Sequence, residues 1–256
     1  MSITFVRVLY GDGTGWPRPK DDPTGEHMRA RSVRLLNQDI DRSFQNDRDN
    51  FFRDKIHYVT MGEWATDKLR THKVKNIHQV NKHPWCQPKG YIHFWHKLYL
   101  VREALRLFGD VVCTDFDCVP TDGFDARFGE AVDSMEGKIF QAPLTIYHRR
   151  AFAWRESSGE GWSKVSKHIG LCGSFMLFRN VGMVNEFFED WEELNKLLPN
   201  NTMASDQAIT YSLEKRRRIK TVRETYEECE PEAIIIPRSP IHDLGITKDS
   251  AIFSHR

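Results

Sequence analysis

Apolar, β-prone runs recur along the chain as ITFVRVLY, KIHYVTM, DVVCTDF, GKIFQA, LCGSFMLF and AIIIP, and helical patterns lie between several of them. That alternation predicts an α/β fold. HFWHKLYLVREALRLFG, residues 93 to 109, sets aromatic and aliphatic residues at three- and four-residue spacing against a charged opposite face, with Gly109 as its C-terminal stop. This helix feeds directly into the strand that carries Asp115. VGMVNEFFEDWEELNKLLP repeats the amphipathic pattern and closes at Pro199, and NNTMASDQAITYSLEKRRR opens another helix behind polar capping residues. Residues 11 to 27 and 81 to 90 are dense in glycine, proline and polar groups, which predicts surface loops. There is no internal repeat, heptad array or low-complexity tract.

Composition narrows the picture a little. A chain of 256 residues, 39% of them hydrophobic, can bury a real core as one large domain or two small ones, and one is expected. Lysine plus arginine, 37, nearly cancels aspartate plus glutamate, 36, so a formal charge of +1 exerts no global pull on nucleic acid or acidic membranes. An electrostatic partner has to be recognised by a local patch. The start, MSITFVRVLYGDG, lacks a basic leader followed by an apolar core, and no apolar run approaches the roughly 20 residues of a membrane span, so a soluble protein is expected. The five cysteines, Cys86, Cys113, Cys118, Cys172 and Cys229, fit neither paired zinc motifs nor a small disulfide scaffold, which favours a reducing cytoplasm.

Candidate chemistry centres on VVCTDFDCVPTD, residues 111 to 122. A bare Asp-x-Asp is weak, and the chain holds three: Asp39/Asp41, Asp47/Asp49 and Asp115/Asp117. The first two lie in the highly charged NQDIDRSFQNDRDN, where solvated acids are expected; only the third follows an apolar run. In an extended segment alternate side chains share a side, so Asp115 and Asp117 can present two carboxylates together, about 7 Å apart along the chain. At the carboxyl end of a strand in a mostly parallel sheet, they would open onto the crevice where α/β folds bind ligands. Hard oxygen donors there suit Mg²⁺ or Mn²⁺.

At these residues the sequence resembles nucleotide-sugar-dependent glycosyltransferases of the GT-A fold, in particular families with an Asp-x-Asp motif after an apolar strand. FVRVLYGDG, FWHKLYL leading to VVCTDFD, LCGSFMLFRN, SDQAITY and the histidine of AIFSHR appear in the order those families show. The resemblance implies a single Rossmann-like GT-A domain over residues 1–256, with a central, mostly parallel mixed sheet flanked by helices. Its nucleotide-binding half would span about residues 1–122 and its sugar and acceptor half about 123–256. It implies further that Asp117 coordinates Mn²⁺ or Mg²⁺, that Asp115 touches the ribose and can share the ion, and that His255 is the third protein ligand, with His242 in reserve. Asp206 and Gln207 match an Asp-Gln pair that lines the donor sugar near the anomeric carbon in several retaining members. Gly173 and Ser174 would face the sugar, Tyr10, Gly11 and Asp12 the nucleotide base, and Lys97 a phosphate or an acidic neighbour. The implied activity is metal-dependent, hexosyltransferase-like transfer from a nucleoside diphosphate sugar, UDP-linked by preference and with retention, to an acceptor hydroxyl.

Two other readings stand beside it. VVCTDFDCV also fits a haloacid-dehalogenase-like phosphatase with Asp115 as nucleophile and Asp117 as acid/base. A non-catalytic nucleotide-sugar-binding domain would keep the cleft without turnover. A saccharide is the expected acceptor; IYHRRAFAWR and EKRRRIK supply basic clusters that suit nucleic acid, or equally a lid over the diphosphate and a solvated helix end.

Overall fold

The computed structural model describes residues 3–11, 37–38, 40–44, 54–81, 93–116, 118–120, 139–142, 144–146, 169–171, 175–197, 209, 212–213, 215–222, 225–228, 234–235 and 253–255. Thr4–Tyr10 forms β1, His57–Met61 β2, Glu63–Thr71 α1, Ile77–Gln79 β3, His93–Phe108 α2 and Val111–Thr114 β4. Cys118–Pro120 is β5, Phe140–Gln141 β6, Leu144–Ile146 β7, Ile169–Leu171 β8, Phe175–Phe178 β9 and Val181–Leu197 α3. Ile219–Val222 and Thr225–Glu228 form β10 and β11, Ile234–Ile235 β12 and Phe253–His255 β13. Among the described residues no helix is long and apolar enough to cross a membrane.

A seven-stranded sheet runs in the order β12-β6-β9-β4-β1-β2-β3. β1 pairs in parallel with β2 on one side and β4 on the other, and β2 pairs in parallel with β3. β9 is antiparallel to both of its neighbours, β4 and β6, and β12 is parallel to β6. The fold is therefore α/β on a mostly parallel mixed sheet flanked by helices, as expected. The chain builds outward from β1 through β2 to β3, then returns through α2 to place β4 on the other flank of β1. Strand order thus reverses between β1 and β4, and α/β sheets open a ligand crevice beyond the carboxyl ends of the strands at such a reversal.

Strand alternation divides the core into two layers. Val6, Val8, Val59, Met61, Val111, Cys113, Met176 and Phe178 face Leu98, Val101, Leu105, Val184 and Phe187 of α2 and α3. Phe5, Leu9, Tyr58, Val112 and Leu177 face Ala65 and Leu69 of α1 together with Ile40 and Phe44. Apolar residues on both faces are what a parallel sheet covered by helices on both sides requires. Gly109 ends α2 with φ 80°, its N–H donating to the Leu105 carbonyl at 2.9 Å, as the apolar pattern predicted. α3 is capped by Asn180, whose Oδ1 accepts from the Met183 N–H at 3.2 Å.

Two sequence expectations change. LCGSFMLF is not one strand of one sheet: Leu171 ends β8, which pairs antiparallel with β7 in a separate ribbon, whereas Phe175 opens β9 of the main sheet. The helix expected through EKRRR stops short, with a turn at Arg216 and Arg217, a positive φ of 56° at Arg217, and β10 beginning at Ile219.

Candidate functional site

The carboxyl ends of β1 and β4 stand side by side, and the residues leaving them are Gly11 and Asp115. Asp115 lies on the α2 side, and Lys97 Nζ donates to its Oδ1 at 2.6 Å. The Lys97 side chain is 11% exposed and that of Asp115 36%, so a buried cation meets a carboxylate that still reaches solvent. Burial opposes the lysine charge, but the adjacent carboxylate outweighs it and holds the ammonium charged well above the ordinary lysine range. Lys97 is therefore neither a solvated surface lysine nor a proton donor near neutral pH. Beneath the pair, burial pushes the fully enclosed Cys113 thiol up to about 12, so it stays an inert S–H.

His96, one residue earlier on α2, meets the Tyr10 ring edge-on with centroids 4.8 Å apart. The same helical turn thus touches the last residue of β1 and the first residue beyond β4. Gly11 follows Tyr10 with φ 129°, and its N–H donates to the Met61 carbonyl at 3.3 Å. Gly62, at φ 97°, lies so close that a Cβ built on it would stand 2.7 Å from the Gly11 carbonyl oxygen. β2 thus ends at a glycine with no room for a side chain, beside the backbone of Gly11.

β4 ends at Thr114, so Asp115 lies just beyond the strand, and Phe116 lies in a turn. Phe116 points away from Asp115 into the α1 layer: its ring is 6% exposed and tilted against Tyr58 at 6.0 Å. Ser43 Oγ donates to the Phe116 carbonyl at 2.7 Å. Arg7, fully buried in the middle of β1, donates from Nε to Thr114 Oγ1 at 3.3 Å and lies 5.0 Å over the Phe116 ring. Neither Ser43 nor Arg7 was picked out from sequence. Arg7 had a signal, an arginine inside the otherwise apolar FVRVL of a central strand, where a charge needs a dedicated partner. Ser43 had none, because its partner lies far away in the chain.

β5 pairs antiparallel with β13, and His255 stands directly opposite Cys118 in that register. Cys118 follows Asp117 in the chain, so the backbone of His255 is brought to the segment that carries the acid pair. Asp12, Asp117, Gly173, Ser174, Asp206, Gln207 and His242 lie outside the described residues, as does the side chain of His255. Among the described residues no group of three or more His, Cys, Asp or Glu side chains gathers as a metal site.

The basic cluster near the end of the chain is largely engaged internally. Asp190 of α3, 2% exposed, accepts from Ser212 Oγ, from Lys215 Nζ at 2.8 Å and from Arg216 Nε at 2.6 Å. Arg218 pairs with Glu186 at 2.7 Å. These three cations tie α3 to the neighbouring segment. Of IYHRRAFAWR only Ile146 is described.

No protein-family model matches the chain, and no curated protein matches it. Among solved structures it is similar to the apo form of mouse xyloside xylosyltransferase 1, at 8% identity and TM-score 0.48 over 99% of this chain and 97% of that one. It is also similar to a glycosyltransferase involved in glycosylation of the major capsid of PBCV-1, at 8% identity and TM-score 0.45 over 98% of this chain and 92% of that one.

Proposed function

We propose that the chain is a GT-A-type glycosyltransferase that moves a sugar from a nucleoside diphosphate sugar, UDP-linked by preference, to an acceptor hydroxyl. The observation that carries this reading is the placement of Asp115, from the Asp-Phe-Asp motif, beyond the carboxyl end of β4 where strand order reverses beside β1. A sugar nucleotide lying across that reversal would set its base against Tyr10, Gly11 and Asp12 and its ribose against Asp115. Lys97 holds Oδ1 of Asp115, fixing the carboxylate so that its other oxygen can accept from the ribose hydroxyls. An ammonium on that carboxylate also blunts it as a nucleophile, which disfavours the phosphatase reading.

The donor set fits Mn²⁺ or Mg²⁺ in kind: hard carboxylate oxygens from Asp117 and Asp115, with His255 carried to the neighbouring segment by β13. Such an ion, when bound, would supply Lewis-acid stabilisation of the charge on the departing nucleotide. Asp206 and Gln207 would line the sugar near the anomeric carbon, and Gly173 and Ser174 would bound its hydroxyl edge. Asp206 would stabilise positive charge in a retaining reaction, the outcome we favour, or take the acceptor proton in an inverting one. A saccharide is the preferred acceptor, a reading supported by the pairing of Lys215, Arg216 and Arg218 with acids of α3.

The test is a panel of nucleoside diphosphate sugars with and without Mn²⁺, scored for donor hydrolysis and transfer in the wild type and in Asp117→Ala. The expected result is Mn²⁺-dependent turnover of one donor, abolished in Asp117→Ala with the circular dichroism spectrum unchanged. A fully active Asp117→Ala overturns the assignment.

A further inference from the structure

We propose that Arg7 and Ser43 are positioning residues, which set the direction of Asp115 by holding the residues on either side of it, Thr114 and Phe116. The proposal rests on the functional reading above. Phe116 separates the two acids, and it is gripped in two places: its carbonyl accepts from Ser43 at 2.7 Å, and its ring lies under the Arg7 guanidinium at 5.0 Å. Arg7 also holds Thr114, the residue before Asp115, at 3.3 Å. The direction of the Asp115 carboxylate depends on the backbone torsions between Thr114 and Phe116. Fixing the ring, the carbonyl and the preceding residue removes most of that freedom.

The materials of this brace are costly ones. Arg7 has no exposed surface and Ser43 is 2% exposed. An apolar residue of similar length would fill the centre of β1 with a smaller desolvation penalty, and a buried hydroxyl is worth having only where it meets a partner. Both residues reach the stretch Thr114–Phe116, although Arg7 belongs to β1 and Ser43 to a segment packed against α1. Convergence on one turn from two separate parts of the fold marks the turn as a feature whose shape matters. Partners that orient metal-binding carboxylates are commonly worth 10–100-fold in metal affinity.

Ser43→Ala, Ser43→Thr, Arg7→Met and Asp117→Ala are compared with wild type in the full chain. Free Mn²⁺ is titrated by electron paramagnetic resonance in the presence of uridine diphosphate, and folding is followed by circular dichroism and thermal melting. Ser43→Ala is expected to stay folded and bind Mn²⁺ with uridine diphosphate roughly 10–100-fold more weakly, with Ser43→Thr restoring most of the loss. Arg7→Met is expected to weaken binding similarly at a temperature where it remains folded. A folded Ser43→Ala with wild-type Mn²⁺ affinity, alongside an Asp117→Ala that has lost it, overturns the positioning role alone. Equal binding by wild type and Asp117→Ala, or none by wild type, overturns the functional reading and the positioning role with it.

Discussion

Lys97 illustrates how much a single side chain can say about a site. A lysine on an amphipathic helix is usually read as a stem along the surface with its head in water, yet here the head is enclosed and its partner is the more exposed of the two. Replacing it by methionine keeps the stem and deletes the charge, leaving Asp115 to be solvated by whatever water reaches its open side. The expected cost of Lys97→Met is about 1–3 kcal/mol in urea unfolding, less than for a fully enclosed pair. Lys97→Arg should not restore it, since the wider guanidinium must fit where the slim ammonium is packed. Sequence reading offered an acidic neighbour as one of two partners for Lys97 because helix α2 runs straight into β4. It could not reach Ser43, because only the completed fold brings residues 43 and 116 together.

Among the elements, the ends of β1 and β2 constrain the sequence closely at Gly62. Gly62→Ala combines a positive φ of 97° with a Cβ 2.7 Å from the Gly11 carbonyl oxygen, and it should cost about 1–3 kcal/mol with a matching drop in melting temperature. Gly109→Ala is the comparison: φ is 80° but nothing lies within 4 Å, so only the backbone penalty of about 1–2 kcal/mol is expected. A Gly62→Ala variant no less stable than Gly109→Ala would show that the two strand ends move apart freely. The apolar runs were legible as β1, β2 and β4 because strands covered on both faces carry long hydrophobic stretches, and β6 and β12 lie in the runs GKIFQA and AIIIP. β3 was not, since Ile77, His78 and Gln79 are an edge strand with no fully buried residue. α1 escaped because its buried residues are Ala65, Thr66 and Leu69, two of them too small or polar to mark a face. The break of LCGSFMLF into two sheets was illegible for a different reason: pairing partners, not local preference, decide where a strand changes sheets.

At the scale of the whole molecule, the described residues carry two sets of acid-sensitive groups. His57 Nδ1 and His78 Nε2 are 3.0 Å apart, and Phe108 packs against both rings. Burial lowers the pKa of each, and the neighbouring His78 lowers His57 further. Their folded values lie below the unfolded one, so stability is complete above about pH 6.5 and falls as the pH drops from there toward the folded values. For Asp41 and Asp190 burial acts upward, but hydrogen bonds from Lys68 and His72, and from Arg216, Lys215 and Ser212, hold both below the ordinary carboxylate range. That contribution is full above about pH 4 and is lost as the pH falls through the folded values. Urea midpoints measured across pH should therefore decline in two stages. A His57→Gln/His78→Gln variant should be distinctly flatter between pH 7 and about 5, and an unchanged slope would exclude the histidine pair as its source.

The pairing of β13 with β5 also governs timing. Contacts between distant parts of a chain must await the loop that joins them, and the closure penalty grows with its length. During synthesis the large sheet can take shape up to β12 while Cys118–Pro120 still waits for Phe253–His255 to emerge. A nascent chain thus has its scaffold before the stretch after the Asp-Phe-Asp motif gains its pairing with β13. Any capacity to grip a cation there would switch on late, after Phe253–His255 has been made.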